Sequence, residues 1–213
     1  APGFFIVVRS IGVIFLSAHI ESTTLNQYHI KCHSVYCNIQ YFSFTIIITA
    51  VIKAKNKVRL LPALNIPMAD LEKARKLVYL TDNCGEIVFD KIMIKILKTF
   101  YPSLEITAIV RGLPALNDAT MEDAKQIGLT ELVNVIGNGT DIAGTVYDRI
   151  SKEAQTALKE ADVVISKGLG NFETLNGCGL NVYYLFMCKC KMFAEKFQKN
   201  LFEGILINDK AVM

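Results

Sequence analysis

Apolar and polar positions alternate with two different periods from residue 69 onward. After Phe89, apolar residues recur three or four positions apart with charged residues between them, which predicts an amphipathic helix that ends before Pro102. Short, continuous apolar runs separate such helical stretches and are typical of strands buried on both faces of a parallel sheet. The predicted strands cover residues 77–80, 106–110, 132–136, 163–165, 182–186 and 204–207. Strands that alternate with helices predict an α/β fold with a mainly parallel sheet.

The helices between these strands are predicted from spacing and from their end signals. They cover residues 70–76, 89–100, a segment after Asp118, 146–160 and a segment that ends at Phe197. Thr120 and Asp123 have the spacing of a capping box, which marks where the helix after Asp118 begins. Right-handed crossovers between parallel strands then place the loops that follow the strands along one edge of the sheet.

Residues 1–52 have a different pattern. They contain three charged residues, Arg9, Glu21 and Lys31, and their apolar runs are too short or too interrupted to cross a membrane unaided. We therefore expect no membrane insertion and no signal peptide, because no basic region precedes the first apolar run. The segment is interpreted either as strands or a buried helix packed on the main domain, or as sequence foreign to the working fold. The predicted parts are an atypical N-terminal segment over 1–55, a linker over 56–68 and an α/β domain over 69–213.

Composition narrows the class of protein. The 213 residues are 52% hydrophobic, which allows a large core, and the net charge of +3 with no basic tract argues against a nucleic-acid partner. Six cysteines in a chain of this length do not form a disulfide framework, so we expect free thiols in a reducing compartment, the cytoplasm. His29, Cys32, His33 and Cys37 match no common zinc spacing. Oligomeric state is left open.

Three polar loops follow predicted strands and precede helical sequence. They are Thr81-Asp82-Asn83-Cys84-Gly85-Glu86, Leu116-Asn117-Asp118-Ala119-Thr120 and Ser166-Lys167-Gly168-Leu169-Gly170-Asn171. Because the carboxyl ends of parallel strands meet at one crevice, we expect these loops to converge. Carboxylate and amide oxygens suit a hard cation such as Mg²⁺ or Mn²⁺, and a Lys suits a phosphate. The loops together suggest a cation facing a phosphate group.

Each loop also has a purely structural interpretation. Asp82, Asn83 and Asp118 could cap helices, and Glu86 is interpreted as a first-turn residue that complements the helix dipole. The Lys167 loop could be a tight turn; it lacks the residue order of a P-loop and the third glycine of a dinucleotide motif. Cys84 could be a nucleophile, although no His flanks it in sequence.

The three motifs, in this order, resemble those of the metal-dependent damage-control phosphatases, closest to the prokaryotic-type branch. The likeness covers residues 70–208 and rests on the strings 80–91, 110–120 and 166–173. It implies a three-layer α/β/α core and a phosphatase that uses Mn²⁺, Mg²⁺, Co²⁺ or Ni²⁺. The family's metal ligands match Asp82, Asn83 and Asp118, and its phosphate-side residues match Lys167 and Asn171, with Gly168 in the same loop. Arg111 and Asn117 match further motif positions, and the resemblance assigns them, with Lys167, Gly168 and Asn171, to substrate or phosphate binding.

The sequence departs from the family in two places. Cys84 stands where the family usually has Ala. In addition, residues 1–52 do not resemble the helical subdomain, with its short cysteine motif, that precedes the first motif in the family and helps to cover the active site. A replaced or mis-assigned helical subdomain is therefore a further interpretation of the atypical segment 1–55.

We expect a phosphatase that hydrolyses phosphomonoesters of small metabolites, such as sugar phosphates or damaged phospho-intermediates, with Asp82, Asp118 and Lys167 as catalytic residues. Water and an Asp stay open as the attacking group. One alternative is a catalytically impaired relative that binds metal or a phosphometabolite. The other is a nucleotide-binding α/β domain. The sequence argues against it, because no acidic residue that could hold a ribose lies about 20 positions past the Lys167 loop.

Overall fold

A computed structural model describes residues 68–211, and within them six strands form one sheet. The strands are β1 (Lys76–Leu80), β2 (Glu105–Val110), β3 (Asn134–Gly137), β4 (Val163–Lys167), β5 (Val182–Met187) and β6 (Gly204–Asn208). The helices are α1 (Met68–Lys73), α2 (Ile87–Phe100), α3 (Met121–Gln126), α4 (Lys152–Glu160), α5 (Leu169–Leu175) and α6 (Lys191–Phe197), followed by a 3₁₀ turn at Asp209–Ala211. Every predicted strand is present. The predicted segments 1–55 and 56–67 lie outside the described residues, so the predicted domain boundaries stay predictions.

The sheet separates two hydrophobic cores, as expected for three layers. Along β1, Leu77 and Tyr79 join one core while Val78 and Leu80 join the other, because successive side chains of a strand point to opposite faces. The first core contains residues of α1, α2 and α3, and the second contains residues of α4, α5 and α6. The prediction of a three-layer α/β/α fold with a mainly parallel sheet is confirmed.

Two predicted elements begin later than expected because local hydrogen bonds compete with them. The N–H groups of Leu132 and Val133 donate to the carbonyl oxygen of Leu129 in a turn, so β3 begins at Asn134 and not at residue 132. The helix predicted over 146–160 begins at Lys152, since the Ser151 hydroxyl accepts from the backbone N–H of Ala154 and caps it there. The predicted capping box of Thr120 and Asp123 is present at α3.

Strand order decides where a ligand can bind. The order is β3-β2-β1-β4-β5-β6, with β1 to β5 parallel and β6 antiparallel to β5. From β1 the chain proceeds outward through β2 and β3 on one side and through β4 and β5 on the other. The crevice between the carboxyl ends of β1 and β4 is therefore the topological switch point, where open α/β sheets bind ligands. Within residues 68–211 no helix is long and apolar enough to cross a membrane.

Candidate functional site

Main-chain contacts join the first two predicted loops. Asn83 and Asp118 form an isolated antiparallel bridge. On either side of it, the N–H of Cys84 donates to the carbonyl oxygen of Asn117, and the N–H of Ala119 donates to that of Asp82, both at 2.8 Å. The chain after β2 thus folds back beside the end of β1, and the three residues predicted to bind metal lie on adjacent backbone segments.

Asp82 lies two residues past the end of β1, at the switch point, and faces the third loop. A β-carbon at Gly168 would lie 2.2 Å from its Cγ, so only a glycine fits opposite this carboxyl group. Burial, and after it the negative charge of Glu86, raise the pKa of Asp82 to about 7, while Lys167 and the exposed Lys189 oppose the rise. No described residue donates a hydrogen bond to its carboxylate oxygens. Capping, the structural alternative, does not apply to Asp82.

Asn83 is buried and does take part in the helix start. Its Oδ1 accepts from the N–H groups of Gly85 and Glu86, both at 3.1 Å, just ahead of α2. Its Nδ2 donates to Glu86 Oε1 at 2.9 Å. Glu86, interpreted from sequence as a first-turn residue that complements the helix dipole, lies at the N-cap position of α2, and its side chain is in addition buried and held between polar partners.

Asp118 is held by Arg111, a residue that the sequence assigned to substrate or phosphate binding. Arg111 Nε and Nη2 lie 2.7 and 2.6 Å from Asp118 Oδ2, and Arg111 Nη1 donates to the carbonyl oxygen of Gly144. The guanidinium is buried, so it fixes the carboxylate and compensates its charge. Oδ1 of Asp118 receives no hydrogen bond from the described part of the chain.

Lys167, the last residue of β4, is buried behind these loops. Its Nζ donates to Glu86 Oε2 at 2.8 Å and to Asp90 Oδ1 at 2.9 Å, and the Tyr79 hydroxyl donates to the same Asp90 oxygen at 2.8 Å. Burial alone would lower the pKa of Lys167, but Asp90 and Glu86 raise it well above its usual value. The ammonium group is therefore charged and engaged with carboxylates. Asp90 was not recognised as a site residue from sequence, because it lies 77 positions from its partner.

The third loop is organised around Asn171. Its Nδ2 donates to the carbonyl oxygens of Thr81 and Lys167 at 3.0 and 2.7 Å, and its Oδ1 accepts from the Thr145 hydroxyl at 2.7 Å. Asn171 is buried and ties the first and third loops to the segment after β3. The Asn117 side chain is partly exposed beside the bridge. The predicted phosphate-binding roles of Lys167, Gly168, Asn171, Arg111 and Asn117 stay predictions.

A fourth loop, residues 138–145, reaches the same edge and was not identified from sequence. The buried Asn138 accepts from the N–H groups of Gly112 and Thr140 through Oδ1, at 2.8 and 3.0 Å. Gly144 packs against the backbone of Gly170. The Gly137-Asn138-Gly139 run could have identified this loop from sequence, because it comes at the end of a strand, as the other three loops do.

The charges decide whether a divalent cation suits this edge. The carboxylates of Asp82, Glu86, Asp90 and Asp118 lie together with two cations, Lys167 and Arg111; this group is called the ion cluster below. Four negative and two positive groups leave a charge of −2 when all are ionised. Among residues 68–211 no three His, Cys, Asp or Glu side chains are arranged so that they could hold one metal ion between them. The predicted ligands Asp82, Asn83 and Asp118 instead combine two carboxylates with one amide, and their oxygen donors and charge fit a hard divalent ion.

Comparison with known proteins decides the family. The model of the damage-control phosphatase ARMT1-like domain matches residues 49–205. The chain belongs to this family. The family resemblance predicted from the three motifs is thereby confirmed.

Three curated proteins are similar to part of this ARMT1-like chain. It is similar to a damage-control phosphatase of Pyrococcus horikoshii (37% identity, over 61% of this chain and 45% of the relative) and to one of Archaeoglobus fulgidus (38%, over 59% and 44%). It also matches an uncharacterized protein of Methanocaldococcus jannaschii (36%, over 62% and 44%). The chain thus spans less than half the length of these curated relatives.

A solved structure supports the fold of the ARMT1-like domain. The crystal structure of a DUF89 family protein from Pyrococcus horikoshii superposes with a TM-score of 0.63 over 82% of this chain and 75% of that chain, at 24% identity. At this identity the likeness speaks for the fold alone.

Proposed function

We propose that this chain is a divalent-metal-dependent phosphatase that hydrolyses phosphomonoesters of small metabolites, such as sugar phosphates or damaged phospho-intermediates. The observation that carries the proposal is the bridge between Asn83 and Asp118 at the switch point, which sets Asp82 and Asp118 side by side in a cluster with an excess of two negative charges. Membership of the damage-control phosphatase family and the names of two relatives support the reaction class.

In this proposal Asp82, Asn83 and Asp118 hold the cation, which is Mg²⁺, Mn²⁺, Co²⁺ or Ni²⁺. A bound divalent ion would withdraw charge from the phosphoryl oxygens. Arg111 fixes Asp118 from the protein side, and Gly168 leaves space for Asp82. Lys167 offsets the carboxylate charge from behind the loops. The third loop, with Gly168 and Asn171, borders the position we assign to the phosphate.

The substrate partner is a small phosphorylated metabolite, and we assign the protein to the cytoplasm. The support for this location is the number and spacing of the cysteines, which suit a reducing compartment.

The test is turnover of an aryl phosphate with each of the four ions added in turn. Asp82→Asn and Asp118→Asn should each lower kcat by more than about 100-fold, since even residues that only orient ligands are worth 10–100-fold. Glu160→Gln is the matched control, because Glu160 is an exposed carboxylate paired with Lys76 at the opposite edge of the sheet. Wild-type rates in both site variants, or no turnover by the wild type with any ion, would refute the proposal.

A second candidate is a catalytically impaired relative that binds metal or a phosphometabolite without hydrolysis. The observation that favours it is that residues 1–52 do not resemble the subdomain that precedes the first motif in the family. It predicts that metal raises the melting temperature of the wild type while no aryl phosphate is hydrolysed.

A further inference from the structure

Glu86 connects two residues that sequence reasoning assigned to different halves of the site. Its Oε1 accepts from Asn83 Nδ2 at 2.9 Å, and its Oε2 accepts from Lys167 Nζ at 2.8 Å. The side chain is 3% exposed. One buried carboxylate therefore lies between a predicted metal ligand on the first loop and the ammonium group at the end of β4.

A carboxylate in this position selects the orientation of the Asn83 amide. An ionised carboxylate can only accept hydrogen bonds, so it must face the nitrogen of the amide and not its oxygen. The oxygen, Oδ1, accepts instead from the backbone N–H groups of Gly85 and Glu86, so these donors and the Glu86 carboxylate favour the same orientation of the amide. Only the oxygen of a carboxamide is a ligand for a hard cation, so the orientation of this amide decides whether Asn83 can bind one.

Lys167 holds the Glu86 carboxylate in place through its hydrogen bond to Oε2, which leaves Oε1 facing the Asn83 amide. The ion pair with Lys167 supplies the compensating charge. Lys167 thus acts on Asn83 through Glu86.

We propose that Glu86 is a positioning residue, which, held by Lys167, orients the Asn83 amide for cation binding. The inference rests on the proposed function only in taking Asn83 as a cation ligand. Asp90 provides the internal comparison: it accepts from the same Lys167 Nζ at 2.9 Å and is as buried as Glu86, but its neighbour is Tyr79 and not Asn83.

The test is a titration with Mn²⁺, followed by calorimetry, of the full chain and four variants. Glu86→Gln should weaken Mn²⁺ binding about 10–100-fold, the usual cost of removing a group that orients a ligand. Asp90→Asn removes the same charge from the same lysine and should weaken it by less than about tenfold. Circular dichroism and urea unfolding of each variant separate lost binding from lost folding.

Exchanging the amide of Asn83 and the carboxylate of Glu86 between the two positions tests the inference more strictly. In Asn83→Asp with Glu86→Gln, the hydrogen bond is kept with its direction reversed, the Gln oxygen can still accept from Lys167, and the net charge equals that of the wild type. Asn83→Asp should therefore raise Mn²⁺ affinity at least about tenfold in the Glu86→Gln background and should not raise it in the wild type, where two carboxylates would face each other.

Three results would overturn the inference: equal effects of Glu86→Gln and Asp90→Asn, an equal effect of Asn83→Asp in both backgrounds, or no Mn²⁺ binding by the wild type. If Glu86→Gln does not fold alone, the double variant decides, since it should bind Mn²⁺ within about tenfold of wild type and weaker binding would contradict the inference. Wild type that binds Mn²⁺ but hydrolyses no aryl phosphate refutes the proposed activity and leaves this inference standing. Wild type that hydrolyses while all variants bind Mn²⁺ alike refutes this inference alone.

Discussion

At the residue scale, the contact between Gly168 and Asp82 restricts which residue can occupy position 168. The backbone at position 168 has φ of 87° and passes so near the Asp82 carboxyl group that a side chain would overlap it. Gly168 of the third loop is therefore required for the observed position of Asp82 in the first loop, independently of any role in binding an anion. This contact makes the two loops one structural unit at the switch point.

Gly168→Ala should damage both stability and Mn²⁺ binding. Gly177→Ala is the matched control, because Gly177 has a similar φ of 80° but nothing lies within 4 Å of the place that its β-carbon would take. The control should cost about 1 kcal/mol from backbone strain alone. Gly168→Ala should cost about 1–3 kcal/mol more, as overpacking does, and should displace Asp82. Urea unfolding and Mn²⁺ titration measure the two effects, and equal losses in both variants would show that the contact with Asp82 is unimportant.

The sequence predicted which polar residues lie at the site but not what they contact. Asp82, Asn83 and Asp118 could be found because each follows a strand in a recurring loop pattern. The pairing of Lys167 with Glu86 and Asp90 could not, since the partners lie 81 and 77 positions apart and no local pattern encodes such a contact. Packing of α2 against the sheet, which buries Glu86 and Asp90, brings them to the lysine.

At the scale of elements, the apolar periodicity of the sequence predicted which strands and helices form better than it predicted where they begin. Each strand core is apolar, so burial on both faces leaves a clear signal. The start of β3 depends on two hydrogen bonds to the Leu129 carbonyl oxygen and that of α4 on one to the Ser151 hydroxyl, and apolar patterns do not record them. The direction of β6, antiparallel at the edge, also has no counterpart in the pattern of the sequence.

Asp162 joins two elements at the amino edge of the sheet and gives stability a dependence on pH. Its Oδ2 accepts from the N–H groups of Arg75 and Lys76 at 2.7 and 2.9 Å, so the turn before β4 holds the start of β1. These backbone N–H groups lower the pKa of Asp162. A carboxyl group with a lowered folded-state pKa stabilises the fold above its unfolded pKa of about 3.9 and loses this contribution as pH falls through the folded value.

Asp162→Asn should lower the free energy of unfolding at pH 7 by about 0.5–1 kcal/mol, a value reduced for solvent exposure. Because the wild type loses the same contribution in acid, the difference between the two proteins should shrink as pH falls below about 4. Urea unfolding at several pH values measures it. Asp148→Asn, a change to an exposed aspartate, serves as the control. A difference that is constant with pH would show that the Asp162 charge has no part in holding β1.

At the scale of the whole molecule, the ion cluster is acidic in a chain whose net charge is +3. The positive charge elsewhere on the chain does not neutralise the cluster, because exposed charges more than a Debye length of about 8 Å away are largely screened at physiological salt. Asp82 and Asp118 lie in loops at the carboxyl ends of the strands, and Lys167 at the end of β4 contacts Glu86 and Asp90. Protonation of Asp82, whose pKa is raised to about 7, would remove part of the negative charge, and a bound divalent cation would compensate it in full.

Binding of a divalent cation should therefore stabilise the folded chain. At a Mn²⁺ concentration 100 times its dissociation constant, the gain should be about 2.7 kcal/mol, since the ion binds the folded state only. For a chain of 213 residues this corresponds to a rise in Tm of roughly 5–11 °C. Differential scanning fluorimetry with Mn²⁺ and then with excess EDTA should show the rise and its reversal.

Asp82→Asn separates a specific site from general ion effects in this experiment. The variant removes the carboxylate that burial and Glu86 keep at a pKa of about 7, so it should already be as stable as, or more stable than, the metal-free wild type at pH 8. It should show little or no rise in Tm with Mn²⁺, whereas Glu160→Gln at the opposite edge should keep the full rise. A Mn²⁺ response that survives in Asp82→Asn would place the cation elsewhere on the molecule and would remove the charge argument for this site.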